Sequence, residues 1–140
     1  MKIFAPFALA LGLSFAAAAQ EDWNEIEPIA QSIERLDAFS QQFVTELEVL
    51  LRERGQWPPT EREQILNATA CGLRRSVACL RKSFFSGAAQ EEIEERIHLS
   101  EALAARVRGA ANRVSLFQYA RHPFIQFQNE LDWLKKQLRP

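Results

Sequence analysis

Glu95 and His98 form the one pair in the sequence with the spacing of a metal site, a Glu-x-x-His. On a helix, side chains three residues apart are neighbours, so a carboxylate and an imidazole could bind one metal ion. Helical di-iron proteins use two such pairs together with two further glutamates. This chain has one pair and only one other histidine, His122. The sequence therefore predicts no metal and no other cofactor. Glu95 and His98 remain the candidate ligands of an alternative function, a periplasmic ligand- or metal-binding helical bundle.

Cys71 and Cys79 are the next residues whose chemistry depends on their spacing. In an oxidising compartment two cysteines usually pair. On a continuous helix, however, residues eight apart are separated by about 12 Å along the axis. A disulfide needs Cα atoms within about 7 Å. Three alternatives follow: small inert cysteines packed against another helix of the same bundle, an intramolecular bond through a helix break near Gly72, or a bond to another chain.

The cysteines also belong to a candidate interaction face. On a helix running through both, they project away from the apolar stripe, as do Ala68, Gly72 and Arg75. Small residues there would let another helix approach closely. Trp133 lies outside the apolar stripe of the last helix and is either a contact anchor or part of a second buried face. The candidate interaction residues are Ala68, Cys71, Gly72, Arg75, Cys79 and Trp133.

Catalytic and phosphate-binding motifs are absent from the sequence. It contains no Cys-x-x-Cys, no His-Glu-x-x-His, no glycine-rich phosphate loop and no Gly-x-Ser-x-Gly. Two histidines leave little for acid–base catalysis, so the sequence predicts that the protein is not an enzyme. The formal net charge of -1 does not favour a nucleic-acid partner.

The first nineteen residues have the layout of a secretory signal peptide. Lys2 gives a positive start, an apolar stretch covers residues 3–15, and Ala17-Ala18-Ala19 fits the cleavage pattern. The apolar run is shorter than the roughly 20 residues of a membrane span. We therefore expect residues 1–19 to be cleaved and residues 20–140 to form a single domain in the periplasm or outside a bacterial cell. The mature chain has no apolar run of transmembrane length, and membrane-surface contact is disfavoured.

Four amphipathic segments follow, and none of the chain alternates with the period of a strand. The predicted helices cover residues 23–54, a second segment opened by the Thr60–Glu63 capping box and ended at Ser86-Gly87, residues 88–119, and residues 123–138. The prediction is an all-α fold, a small antiparallel helical bundle of three long helices plus a shorter C-terminal helix. In the alternative arrangement, the last helix packs across one end of the other three.

Charge favours antiparallel pairing of the first two helices. The first is rich in acids, whereas the second carries the basic cluster Arg74, Arg75, Arg81 and Lys82. We expect this cluster to face the acidic helix and solvent. Taken together, these features predict a non-enzymatic exported helical protein, a protein-interaction or structural component of the bacterial cell envelope. Its partner would be another protein or a second copy of itself.

Overall fold

The computed structural model describes the backbone of residues 16–138 and the side chains of residues 26–138. The predicted leader, residues 1–19, lies outside the described side chains and remains a prediction. In chain order the elements are helix α1, Ala16–Arg54; α2, Glu61–Phe85; α3, Gln90–Ala111; a 3₁₀ turn, Ser115–Tyr119; and α4, Arg121–Leu138. The described residues contain no strand, so the predicted all-α fold is confirmed. None of the described helices combines the length and apolar character that crossing a membrane requires.

Local signals in the sequence define the boundaries of α2. At its start, the Thr60 hydroxyl accepts a hydrogen bond from the Glu63 backbone N–H at 3.1 Å, and the Glu63 carboxylate accepts one from the Thr60 N–H at 2.9 Å. This is the predicted capping box. At its end, Gly87 has a φ of 79°, a value that glycine adopts without strain. The Ala88 N–H then bonds the Ser83 carbonyl at 3.0 Å, which closes a Schellman turn.

The third helix is shorter than predicted. It ends at Ala111 rather than continuing to residue 119, and a 3₁₀ turn follows. Val114 and Phe117, both inside the predicted helix, lie in this connection. Val114 is buried, and the Phe117 ring packs edge-on against Phe43 at 5.9 Å between centroids. The apolar residues of the segment therefore reach the core without continuing the helix.

Each helix buries residues at alternating steps of three and four, as antiparallel bundles require. Helix α1 packs against both α2 and α4, and α2 packs against both α1 and α3. Phe124, near the start of α4, contacts Phe43, whereas Glu130 further along contacts Arg35. The contacts run in opposite directions along the two helices, so α4 lies antiparallel beside α1. The alternative with α4 across one end of the bundle is therefore wrong.

Candidate functional site

The sequence-predicted interaction face lies on the solvent side of α2. The helix is continuous from Glu61 to Phe85, and Cys71 and Cys79 are both free thiols. An intramolecular disulfide would need a helix break that this structure does not have. Cys71 is half-buried at the edge of the core, and Cys79 is exposed. Cys79 is therefore not packed against another described helix, which was the first of the three alternatives for the cysteine pair.

Open space lies above the middle of this face. A Cβ atom added at Gly72 would meet no other atom within 4 Å, and Ala68 and Arg75 are exposed. Ile65, seven residues before Gly72 and on the same side of the helix, is 48% exposed. Sequence reasoning missed Ile65, although its position outside the apolar stripe of α2 was a signal that could have identified it.

Trp133 does not join this face. It is half-buried on α4, where it lines a shallow depression together with Arg35, Phe39 and Glu130 between α1 and α4. Helices α1 and α3 flank α2, so α4 lies diagonally across the bundle from α2. The structure therefore separates Trp133 from the five predicted residues of α2. Trp133 also packs partly against the core.

Glu130 carries the polar contacts beside Trp133. Its carboxylate accepts hydrogen bonds from the Ser32 hydroxyl at 2.8 Å and from Arg35 Nε at 2.6 Å. The hydrogen bond with Glu130 raises the pKa of Arg35 from its ordinary value, and the charge of the carboxylate adds to the effect. The Glu130 carboxylate is thus paired with a hydroxyl and a guanidinium of α1, and these hydrogen bonds help to hold α4 against α1.

Exposed residues of helix α3 lie beside the exposed face of α2 and extend it. Leu99 is 47% exposed, and an open groove of about 380 Å³ lies between the two helices. The groove is lined by Arg62, Ile65, Thr69, Arg106, Gly109, Ala110 and Arg113. We call the combined region the α2/α3 outer surface; it consists of Ile65, Ala68, Gly72, Arg75, Cys79, Glu92, Leu99, Ala102, Arg106, Gly109 and Arg113.

The antiparallel register of α2 and α3 aligns the features of this surface. The buried hydroxyls of Ser76 and Ser100 are hydrogen-bonded at 2.8 Å, so these two residues lie at the same level. Leu99 therefore lies between the levels of Gly72 and Cys79. Ile65 lies at the opposite end, beside the three arginines of the groove.

One member of the basic cluster of α2 forms ion pairs with α1, and the other three are exposed without an ion pair in the described residues. Arg81 forms ion pairs with Glu34 at 2.9 Å and Asp37 at 3.8 Å, as expected for an acidic first helix beside a basic second one. The hydrogen bond with Glu34, followed by the charges of both carboxylates, raises the pKa of Arg81. Arg74, Arg75 and Lys82 are exposed and have no ion pair within the described part of the chain.

Glu95 and His98 are both exposed on α3. His98 Nδ1 lies 3.8 Å from a carboxylate oxygen of Glu101, one turn further along the same helix. Across residues 26–138, no three His, Cys, Asp or Glu side chains are grouped as metal ligands. The fold therefore brings no third ligand to the predicted pair from these residues.

Another exposed aromatic lies away from the predicted face. Trp57, in the loop between α1 and α2, is 90% exposed above a cavity of about 270 Å³ that Gly55 and Asn67 also line. The buried Oδ1 atom of Asn67 has no hydrogen-bond partner. The sequence analysis did not identify Trp57 or this cavity.

The described part of the chain defines a protein class, an all-α antiparallel four-helix bundle. No protein-family model, no curated protein and no solved structure matches the chain. Its role must therefore be inferred from its own surfaces.

Proposed function

We propose that this protein is an exported, non-enzymatic component of the bacterial cell envelope that binds a protein partner through the α2/α3 outer surface. The observation that carries the proposal is the exposure of Ile65 and Leu99 on either side of Gly72, above which the space is open. Exposed apolar surface that is rimmed by polar residues marks interaction sites, and here the small residues Ala68 and Gly72 lie between the levels of Ile65 and Leu99.

The shape of the surface suits a helical partner. The groove beside Ile65 has Gly109 and Ala110 in its lining, so the wall that α3 contributes is low at these two positions. As at Gly72, a Cβ atom added at Gly109 would meet no atom within 4 Å. An amphipathic helix could place its apolar residues there, as in other helix-in-groove complexes. Release of water from Ile65 and Leu99 would favour the complex.

Gly72 offers a test that leaves the fold intact. Because the space above it is open, a Gly72→Leu side chain can be accommodated in the isolated protein but would obstruct a docked helix. We expect Gly72→Leu to abolish recovery of a crosslinked partner from the envelope, or to reduce the native mass if the partner is a second copy. The matched control is Ala38→Leu, at an exposed position of α1.

Circular dichroism of both variants checks that the fold is retained. Unchanged partner recovery and unchanged native mass in Gly72→Leu would contradict the proposal. Gels of thiol-blocked protein, run with and without reductant, distinguish a covalent partner held through Cys79 from a non-covalent one.

A further inference from the structure

Charge along the exposed side of α3 is divided between its two halves. On the side that carries Leu99, the exposed charged residues of the first half include Glu92 and Glu95, and those from the second half onward are Arg106 and Arg113. The middle of the same side carries Leu99 together with the small exposed residues Ala102 and Ala105. Along α3 the surface is therefore acidic at one end, small and apolar in the middle, and basic at the other end; on α2, the exposed Arg75 lies beside this middle.

These end charges are not neutralised within the bundle. In the part of the chain that the structure describes, none of Glu92, Arg106 and Arg113 takes part in an ion pair. Arg62 on α2 enlarges the basic end, since it lines the same groove as Arg106 and Arg113. Both ends of the surface thus present charge that a partner could pair.

We propose that the occupant of the α2/α3 outer surface is a second copy of this chain, related to the first by a two-fold axis that passes near Ala102. This inference rests on the function proposed for the surface and specifies its partner. Rotation by 180° reverses the direction of α3, so the acidic end of each copy meets the basic end of the other. A surface of this kind is self-complementary, as two-fold dimers require.

The positions of the charges match such an axis. Glu92 lies ten residues before Ala102 and Arg113 eleven residues after it. Each is therefore about 15 Å from the axis along the helix direction. Glu92 of each copy then faces Arg113 of the other, and Leu99 faces the aliphatic part of Arg106. Ala102 meets its own equivalent, and its small side chain lets the two helices approach closely. The dipoles of the two α3 helices are antiparallel, which also favours the pairing.

The size of the face is adequate for a stable complex. Helix α3 has 22 residues, which corresponds to about 33 Å of length. With α2 at a usual packing distance beside it, the face is roughly 20 Å wide. The resulting area, about 650 Å², approaches the roughly 800 Å² that each partner buries in a standard interface.

The geometry also makes this dimer non-covalent. Cys79 lies at the level of about residue 97 of α3, which is roughly five residues from the proposed axis. The two Cys79 residues would then be about 15 Å apart along the helix direction. A disulfide requires Cα atoms within about 7 Å. The dimer should therefore persist in reductant.

Charge reversal provides the test, with sedimentation equilibrium of the purified protein in reductant as the measurement. We expect a dimer for the unaltered protein. Glu92→Arg and Arg113→Glu should each weaken it by at least about tenfold, because every dimer of one variant places like charges together twice. An equimolar mixture of the two variants should restore the dimer, since both contacts between unlike copies are then attractive. Glu61→Arg, at an exposed acid outside the surface, is the control.

The outcomes separate this inference from the proposed function. A monomer at about 100 µM in the unaltered protein would overturn the inference, since interfaces of about standard size have dissociation constants of roughly micromolar or below. If Gly72→Leu still abolished partner recovery in that case, the proposed function would stand. Dimers that survive both single reversals would also overturn the two-fold register. If Gly72→Leu abolished those same dimers, the α2/α3 outer surface would still be the binding site, and only the proposed register would be wrong.

Discussion

Two interfaces inside the bundle are built from side chains of opposite size. Between α2 and α3 the buried residues include Ser76 and Ser100, and Ala104 is buried on the core side of α3. Between α1 and α4 the contacts are aromatic: the Phe124 ring lies 5.1 Å from that of Phe43. The first interface fills its space with closely approaching backbones, and the second fills it with rings. The difference shows that side-chain volume sets how near two helices pack in this bundle.

The aromatic interface should show the largest loss on truncation. Phe43 is 1% exposed and contacts the rings of Phe117 and Phe124. We expect Phe43→Ala to reduce the free energy of unfolding by about 3–5 kcal/mol, because the cavity cannot close around the remaining rings. Urea unfolding followed by circular dichroism measures the change. Tyr119→Ala, at a ring that is 56% exposed, should lose much less, and equal losses would contradict this account.

The small-residue interface should instead be sensitive to enlargement. Ala104 is 2% exposed, so a leucine there would force α2 and α3 apart. We expect Ala104→Leu to reduce the free energy of unfolding by about 1–3 kcal/mol. Ala38→Leu introduces the same side chain at an exposed site of α1 and should change stability by less than about 0.5 kcal/mol. If the two variants were equally stable, close approach would not govern this interface.

The Ser76–Ser100 hydrogen bond should have a smaller effect that depends on pairing. Ser76→Ala alone leaves the fully buried hydroxyl of Ser100 without this partner. We expect a loss of about 1 kcal/mol, at the lower end of the usual range because the hydroxyl can turn to a carbonyl of its own helix. The double variant Ser76→Ala/Ser100→Ala should recover most of that loss. If the loss of unfolding free energy in the double variant equalled the sum of the losses in the two single variants, the two hydroxyls would act independently.

The outer side of α2 should tolerate a side chain that the close packing around Gly55, in the loop after α1, would not. Gly72→Ala should raise the free energy of unfolding by about 0.5–1 kcal/mol, since alanine favours a helix and meets open space there. The measurement is thermal unfolding of dilute protein. Gly55→Ala is the opposite case, because its Cβ would lie 2.4 Å from the Leu51 carbonyl oxygen. A gain in stability at Gly55 would contradict the close approach seen between α1 and the loop.

Periodicity and capping residues were sufficient to predict much of this fold. The end of α1 at Arg54 and the start of α2 after Thr60 follow from Gly55 and from the capping box. The core positions of Ser100 and Ala104 could not be predicted from hydrophobicity, because their burial comes from close backbone approach. The end of α3 at Ala111 was missed because neither glycine nor proline follows it directly. The contact of Phe117 with Phe43 depends on the tertiary fold and could not be read from the local sequence.

The candidate surface was predictable only in part. Ala68, Gly72 and Cys79 share the side of α2 that helical geometry places opposite the apolar stripe, and the structure leaves that side exposed. Leu99 could not be assigned to the surface from the sequence, because its place beside Gly72 depends on the register of two helices. Trp133 was grouped with this face although it lies across the bundle, since one helix gives no information about its neighbours in space.

The Schellman turn at Gly87 has a consequence for the order of folding. It joins α2 and α3 through a connection of four residues, so the contacts of that helical hairpin are local in sequence. The contacts of Glu130 with Ser32 and Arg35, by comparison, close a loop of more than ninety residues. Closing a long loop costs more conformational entropy than closing a short one. The α2–α3 hairpin should therefore already be formed in the folding transition state. Substitutions at Ser76 should then slow folding, whereas substitutions at Glu130 should mainly accelerate unfolding.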